Sequence, residues 1–128
     1  MQQRTHLAIS AELVGAVVNL SPHTATVSLT CTKSMASDDR GLVHGGFTFG
    51  LADYAAMCAV NDPHVVLGAA DTRFIAPVLV GKEMRATATV SGEKGRKRIV
   101  DVVVRVGEKA VMTGTFTCFV LDQHVLDG

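Results

Sequence analysis

Apolar and polar residues alternate along two neighbouring segments near the start of the chain. The first is Glu12 to Leu20 and the second is Thr24 to Thr32, in which hydroxyl-bearing residues alternate with small apolar ones. A period of two predicts strands with one solvated and one buried face. Ser21-Pro22 marks a turn between them, so the pattern predicts a hairpin. Residues 33–40 have no periodicity and are rich in Ser and Asp, which predicts a loop.

The segment from Gly45 to Val60 has a different pattern. Ala, Leu and Met are frequent, Asp53 is the only charged residue, and no proline occurs between Gly45 and Pro63. These features predict a helix. A helix that is apolar nearly all the way round must be buried on nearly all sides. The rest of the chain therefore has to wrap around it.

Four further segments with a period near two supply that wrapping. They are rich in Val, Thr, Ile and Phe, and Gly- and Pro-containing turns separate them. The pattern predicts one α+β domain over residues 1–128, in which a curved antiparallel sheet encloses a single buried helix. The predicted strands are 65–76, 84–91, 98–106 and 111–121.

Charge and composition exclude several classes of protein. Twelve basic residues balance twelve acidic ones, so no global field favours binding to nucleic acid or to an anionic membrane surface. The longest apolar stretch, 47–60, is shorter than the ~20 residues that span a bilayer, and the first ten residues do not form a secretory signal. We therefore expect a cytoplasmic protein without a membrane partner.

The cysteines and histidines do not indicate a metal site. Cys31, Cys58 and Cys118 lie far apart among small or apolar neighbours, which predicts reduced core residues. The five histidines form no ligand-spaced pair. We predict no metal and no cofactor.

Two glycines and one carboxylate are the candidate chemistry. Backbone N–H groups at a helix start are unpaired and lie at the positive end of the dipole, so Gly45 and Gly46 can bind an oxyanion. Asp53 is a candidate base or nucleophile, because a carboxylate in an apolar helix is costly and such groups cluster at functional sites. The alternative is a buried Asp that caps a loop or pairs with an Arg.

The spacing of these groups predicts a shared site between two subunits. Gly45 and Asp53 are eight helical steps apart, about 12 Å at ~1.5 Å per residue, too far to act on one carbonyl carbon. Two antiparallel helices across a twofold axis bring the start of one to the middle of the other. Gly46, Gly50, Asp53 and Met57 share one helix face, a candidate substrate groove, although Gly50 equally suits close packing.

Four short motifs carry a resemblance to a known family. They are Val43-His44-Gly45-Gly46, Leu51-Ala52-Asp53, Ala59-Val60-Asn61 and Phe74-Ile75-Ala76-Pro77. Together they resemble the hot-dog thioesterases, within the PaaI-type and 4-hydroxybenzoyl-CoA thioesterase group. The resemblance implies a hot-dog fold and hydrolysis of an aryl- or short- to medium-chain acyl-CoA, with coenzyme A as part of the substrate. It also implies a homodimer with sites at the interface, or a tetramer.

The resemblance suggests roles for further residues. His44 either binds the thioester oxygen or orients the loop, or it only hydrogen-bonds backbone at the helix entry. Asp38 stands where many family members have Asn or Gln, and Thr72 is the nearest hydroxyl to the position of a frequent Ser or Thr. Arg96, in a basic turn, and Arg73 are candidates for gripping the phosphates of coenzyme A. The alternative for the turn is a solvated surface.

Two other functions remain open on the same fold. An enoyl or hydroxyacyl thioester hydratase-dehydratase would need a His five residues after Asp53, where this chain has Cys58. A non-catalytic acyl-CoA binding module gains nothing from a buried carboxylate facing a thioester. The sequence shows no helix pair for DNA binding, which disfavours the regulators built on this fold.

Overall fold

Two α-helices, two 3₁₀ helices of three residues each and six strands make up the secondary structure. The computed structural model describes all of residues 1–128. The helices are α1 (Ala11–Val14) and α2 (Gly45–Val60). The strands are β1 (Ala16–Ser21), β2 (Thr24–Thr30), β3 (Val65–Phe74), β4 (Glu83–Lys94), β5 (Lys97–Val106) and β6 (Lys109–Val120).

The strands form one antiparallel sheet in the order β1-β2-β4-β5-β6-β3. Helix α2 packs mainly against β2, β4 and β5 and touches β3 and β6 much less. The core between helix and sheet contains 26 buried hydrophobic residues. The predicted architecture, an antiparallel sheet around one buried helix, is confirmed. No helix in the structure has the length and apolar character needed to cross a membrane.

Strand β2 follows the predicted alternation. Its even-numbered hydroxyl residues are partly exposed, whereas Ala25, Val27 and Leu29 are buried against α2. All three cysteines are buried and none forms a disulfide. The prediction of reduced core thiols is confirmed.

The predicted first strand is wrong over its first half. Residues 11–14 form α1, and β1 begins only at Ala16. Gly15 separates the two with φ +102°, and a Cβ there would lie 2.6 Å from the Ser28 carbonyl oxygen. The backbone can make this close turn only without a side chain, so the strand cannot extend back to Glu12.

The amino-terminal segment covers part of α2 that the sheet does not reach. Asn61 ends the helix in the left-handed conformation, as asparagine often does. Its side chain accepts from the Arg4 N–H at 2.7 Å and donates to the Gln2 carbonyl at 2.9 Å. The Gln3 amide donates to the Tyr54 hydroxyl at 2.9 Å. These bonds attach residues 2–4 to the helix.

Strand β3 forms one edge of the sheet. It pairs with β6 on one side, and its other side has no neighbouring strand. Ala69, Ala70 and Phe74 on this strand are exposed. Such an edge presents unpaired backbone N–H and C=O groups to another strand.

Candidate functional site

Two free backbone amides mark the start of α2. His44 is the residue before the helix and has an extended backbone. The Phe47 N–H donates to the His44 carbonyl at 3.1 Å, but neither the Gly45 nor the Gly46 N–H has an acceptor within the chain. Both amides lie at the positive end of the helix dipole. They can donate to an anionic oxygen, as the sequence predicted.

The His44 ring lies directly beside these amides. It is exposed and forms no hydrogen bond with the helix start, so the predicted bond to backbone at the helix entry is not formed. A Cβ on Gly46 would lie 3.0 Å from His44 Cδ2 and 3.1 Å from Nε2. Phe47 supports the ring edge-on, with centroids 6.2 Å apart. The imidazole is therefore held where it can reach a group bound at the amides.

Asp53 carries a buried carboxylate oxygen that is an unused acceptor. Its Oδ1 is shielded from solvent and has no hydrogen-bond partner in the chain. Burial raises the pKa of this carboxyl above its ordinary value. Neither predicted alternative is present, because no Arg pairs with Asp53 and its side chain caps no loop.

The carboxylate lies on the side of α2 that faces β6. Burial raises the pKa of the Cys118 thiol on β6 to about 12, with a smaller contribution from the negative charge of Asp53. One turn earlier, the Phe49 ring contacts Phe116 of β6, with centroids 5.6 Å apart. Since β3 follows β6 in the sheet, Asp53 faces toward the free edge.

The residues of the predicted groove, Gly46, Gly50, Asp53 and Met57, lie in different surroundings. Met57 is 1% exposed and belongs to the core. Gly50 faces α1, where a Cβ would lie 3.7 Å from Val14. These residues do share a helix face, but α1 and the rest of the core cover its centre. Gly46 alone of the glycines on this face is exposed.

The two candidates on β3 point to opposite faces of the sheet. Thr72 pairs with Gly114 and lies on the same side as Phe74 and the start of α2. Arg73 lies on the opposite face and binds Asp71 at 2.7 Å. The structure therefore brings Thr72, and not Arg73, toward the helix side of the sheet.

Asp38 and Arg96 have structural partners of their own. Asp38 Oδ1 accepts from the Arg40 N–H at 2.9 Å and the Leu42 N–H at 3.1 Å, which closes its loop. Arg96 forms an ion pair with Asp122. The basic turn that contains Arg96 lies near the Val60 end of α2, so within one chain it is remote from Gly45.

A cleft at the start of α2 was not predicted from the sequence. Its volume is about 320 Å³, and the residues around it come from three separate segments of the chain. The Phe74 to Pro77 motif was noted only for its resemblance, and Thr48 was not identified. The lining residues are Val43, Gly45, Thr48, Phe74, Ile75, Ala76, Pro77, Val78 and Val111.

No group of three or more His, Cys, Asp and Glu side chains converges in the structure. The polar groups described at the start and middle of α2 are the amides, the His44 imidazole and the Asp53 carboxylate.

Comparison with known proteins places this fold in a family. Residues 34–112, more than half of the chain, match the model of the MaoC like domain. The chain belongs to the MaoC-like hot-dog domains. A crystal structure of an uncharacterized protein, PH1136 from Pyrococcus horikoshii, is 50% identical with a TM-score of 0.98, covering 99% of this chain and 98% of the other. A mutant structure of phenylacetic acid degradation protein PaaI from Thermus thermophilus is 29% identical with a TM-score of 0.79, covering 87% and 97%. The resemblance to PaaI-type hot-dog proteins is confirmed.

The MaoC-like hot-dog domain also occurs within longer curated proteins. This chain is 49% identical over 123 residues to the methylthioribose-1-phosphate isomerase of Aquifex aeolicus, covering 95% of this chain but 27% of that protein. It is 29% identical over 119 residues to the transcription factor FapR of Caldanaerobacter subterraneus, covering 92% of this chain and 60% of FapR. The chain thus spans only part of these relatives.

Proposed function

We propose that this protein is an acyl-CoA thioesterase that hydrolyses an aryl- or short- to medium-chain acyl-CoA to the free acid and coenzyme A. The observation that carries the proposal is the Asp53 carboxylate, one oxygen of which is buried without a partner. Burying such a group costs free energy, which a catalytic use would explain. The resemblance of the sequence motifs to hot-dog thioesterases, together with the likeness to the phenylacetic acid degradation protein PaaI, supports this class of reaction.

The proposed site is shared between two copies of the chain. Gly45 lies beside Phe74 at one end of β3, and Val60 lies beside Val120, the partner of Val65 at the other end. Antiparallel pairing of two free β3 edges would place the start of one α2 alongside the later part of the other. Such pairing brings the free amides of one subunit toward Asp53 of the partner subunit.

The reaction then follows from the polarity of these groups. The thioester oxygen accepts from the Gly45 and Gly46 amides, which stabilise the oxyanion as it forms. Asp53 of the partner subunit either removes a proton from water or attacks the carbonyl carbon itself. Collapse of the tetrahedral intermediate breaks the C–S bond, and the thiolate of coenzyme A leaves and takes up a proton. A raised pKa makes Asp53 a better base than an exposed carboxylate.

The basic turn around Arg96 provides the cations of the proposed coenzyme A site. Arg96 forms an ion pair with Asp122, and Arg98 Nε lies 3.5 Å from Glu93 Oε1. Lys94 and Lys97 form no ion pair. The proposed twofold axis would bring this turn of one subunit to the same end of the dimer as Gly45 of the other. The two lysines are then the free cations for phosphate groups of coenzyme A.

Release of free thiol from a panel of aryl- and aliphatic-CoA thioesters tests the proposal. The native protein should turn over at least one of them, and Asp53→Asn should lower kcat by about 100-fold or more, in the range of general acid-base contributions. Asp101→Asn is the matched control, because Asp101 is exposed on the sheet. An Asp53→Asn protein as active as its parent would refute the role of Asp53.

A non-catalytic acyl-CoA binding module is the second candidate, because transcription factors share the domain. Binding of acyl-CoA without thiol release would favour it. A hydratase is less well supported: Cys58 is buried five residues after Asp53, and no His is hydrogen-bonded to the carboxylate.

A further inference from the structure

Helix α2 and strand β6 run side by side in the same direction. Gly45 and Val111, near the beginning of the two elements, line the same cleft. Val60 and Val120, at the end of the two elements, line a pocket together. A residue on the β6 side of α2 therefore faces a residue at the corresponding height of the strand.

Cys118 is the β6 residue that lies opposite Asp53. The ring of Phe49 contacts the ring of Phe116, with centroids 5.6 Å apart. Asp53 follows Phe49 by one helical turn, about 6 Å at ~1.5 Å per residue. Cys118 follows Phe116 by two strand residues on the same buried face, about 6.6 Å at ~3.3 Å per residue. These nearly equal steps place the Cys118 side chain beside the carboxylate, whose charge adds to the effect of burial in raising the pKa of the thiol.

No other titratable side chain of the same chain faces Asp53. Strands β1 and β2 carry no charged residue, and every charged residue of α1 and of β3 to β6 is exposed except Arg98, which lies near the end of α2. In the proposed dimer, His44 of the partner subunit approaches the carboxylate from its open side. The other titratable groups near the middle of α2 lie on the side that the amino-terminal segment covers, and they are Tyr54, Cys58 and His6.

The two oxygens of the Asp53 carboxylate differ in their surroundings. Oδ1 is shielded and has no hydrogen-bond partner, although the buried Cys118 lies on the same side. A thiol is only a weak donor, whereas a hydroxyl or N–H donor at this place would stabilise the charged carboxylate and weaken it as a base. Asp53 as a whole is only partly buried, so Oδ2 is the oxygen that reaches solvent.

We infer that Cys118 is a positioning residue for Asp53. Its thiol packs behind Oδ1 without a strong hydrogen bond, so the carboxylate stays a stronger base than an exposed one and Oδ2 faces the reacting group. This inference rests on the proposed function, in which Asp53 either removes a proton from water or attacks the carbonyl carbon. Cys118 stays a neutral thiol throughout and takes no part in bond formation.

Replacing the thiol by a hydroxyl tests this role without relying on turnover. Cys118→Ser nearly keeps the shape of the side chain and supplies a donor to Oδ1, whereas Cys118→Ala supplies none. Titration of the side-chain carboxyl by carbon NMR, with the Asp53 signal assigned by its loss in Asp53→Asn, measures the pKa of Asp53 directly. In Cys118→Ser the carboxyl should titrate about one pH unit lower, the effect of one hydrogen bond to a charged group. In Cys118→Ala its pKa should be nearly unchanged.

The pH profile of kcat/KM gives the catalytic consequence. Activity should rise with pH as Asp53 loses its proton, and in Cys118→Ser this rise should move about one pH unit lower. The plateau value of kcat should fall, because Asp53 is then a weaker base. Cys31→Ser is the matched control: Cys31 is also buried, but burial alone raises the pKa of its thiol, without a contribution from Asp53. Its profile should match that of the native protein.

An Asp53 pKa in Cys118→Ser that equals or exceeds the native value would overturn the inference. An equal fall in Cys118→Ala or in Cys31→Ser would overturn it as well, because the hydroxyl at position 118 would then not be its cause. Failure of the native protein to release thiol from any acyl-CoA would instead refute the proposed hydrolysis. The NMR titration would still decide whether Cys118 controls the carboxylate.

Discussion

Asp53 should lower the stability of the folded protein at neutral pH. Its pKa is higher in the folded state than the ordinary value of 3.8, so the folded protein binds more protons than the unfolded chain between the two values. The free energy of unfolding therefore falls as pH rises through that interval. Asp53→Asn removes the charge while nearly keeping the shape of the side chain.

The expected gain in the free energy of unfolding of Asp53→Asn follows from Asp53 Oδ1, a buried acceptor without a hydrogen-bond partner. A buried polar group without a partner costs about 1–3 kcal/mol. Because the Asn amide is itself partly buried, we expect Asp53→Asn to raise the free energy of unfolding at pH 7 by about 1 kcal/mol. That is about 3–5 °C in Tm for a chain of this size. Below pH 3.8, where Asp53 is protonated in both states, the difference should disappear.

Thermal unfolding of both proteins between pH 3 and pH 8, at one protein concentration, measures this effect. Asp101→Asn is the control, because Asp101 is exposed and its replacement should change stability by less than about 0.5 kcal/mol. A variant that is less stable than its parent at pH 7 would refute the reasoning. So would a stability difference that does not change with pH.

Two further predictions concern the residues that bury α2. Asn61→Gly keeps the left-handed helix end but removes the hydrogen bonds to Gln2 and Arg4. It should lower the free energy of unfolding by about 1–2 kcal/mol and speed amide hydrogen exchange over residues 2–5. Unchanged exchange there would show that these bonds do not hold the segment. Cys118 is buried and its thiol has a pKa of about 12. It should therefore react with a thiol reagent only after the protein unfolds, and so should the buried Cys58. Reaction of Cys118 in native buffer would contradict its burial.

Periodicity was sufficient to predict most of the fold. The alternation in β2 and the all-apolar stretch of α2 reflect their burial directly, because each side chain meets either the core or solvent. The short helix α1 escaped detection, since four residues are too few to show a helical period. Gly15 was the available signal, but its left-handed backbone depends on contact with Ser28, which is distant in sequence.

The candidate site was predictable only in part. Sequence reasoning identified Gly45 and Gly46 because backbone amides at a helix start are free to donate. It identified Asp53 because a carboxylate in an apolar helix costs free energy. What packs against a helix face is a tertiary property, so spacing did not reveal that Met57 is in the core. The partner of Arg96 is Asp122, 26 residues away, and the cleft combines three separate segments.

Complementation between two inactive variants tests most directly the claim that each site is shared by two subunits. Asp53→Asn removes the carboxylate, and Gly45→Val obstructs the amide beside Phe74. Co-expressed in equal amounts, half of the dimers should be mixed, and each mixed dimer should hold one intact site of two. The account predicts roughly a quarter of the native thioesterase activity. Activity no higher than the sum of the two separate variants would contradict it.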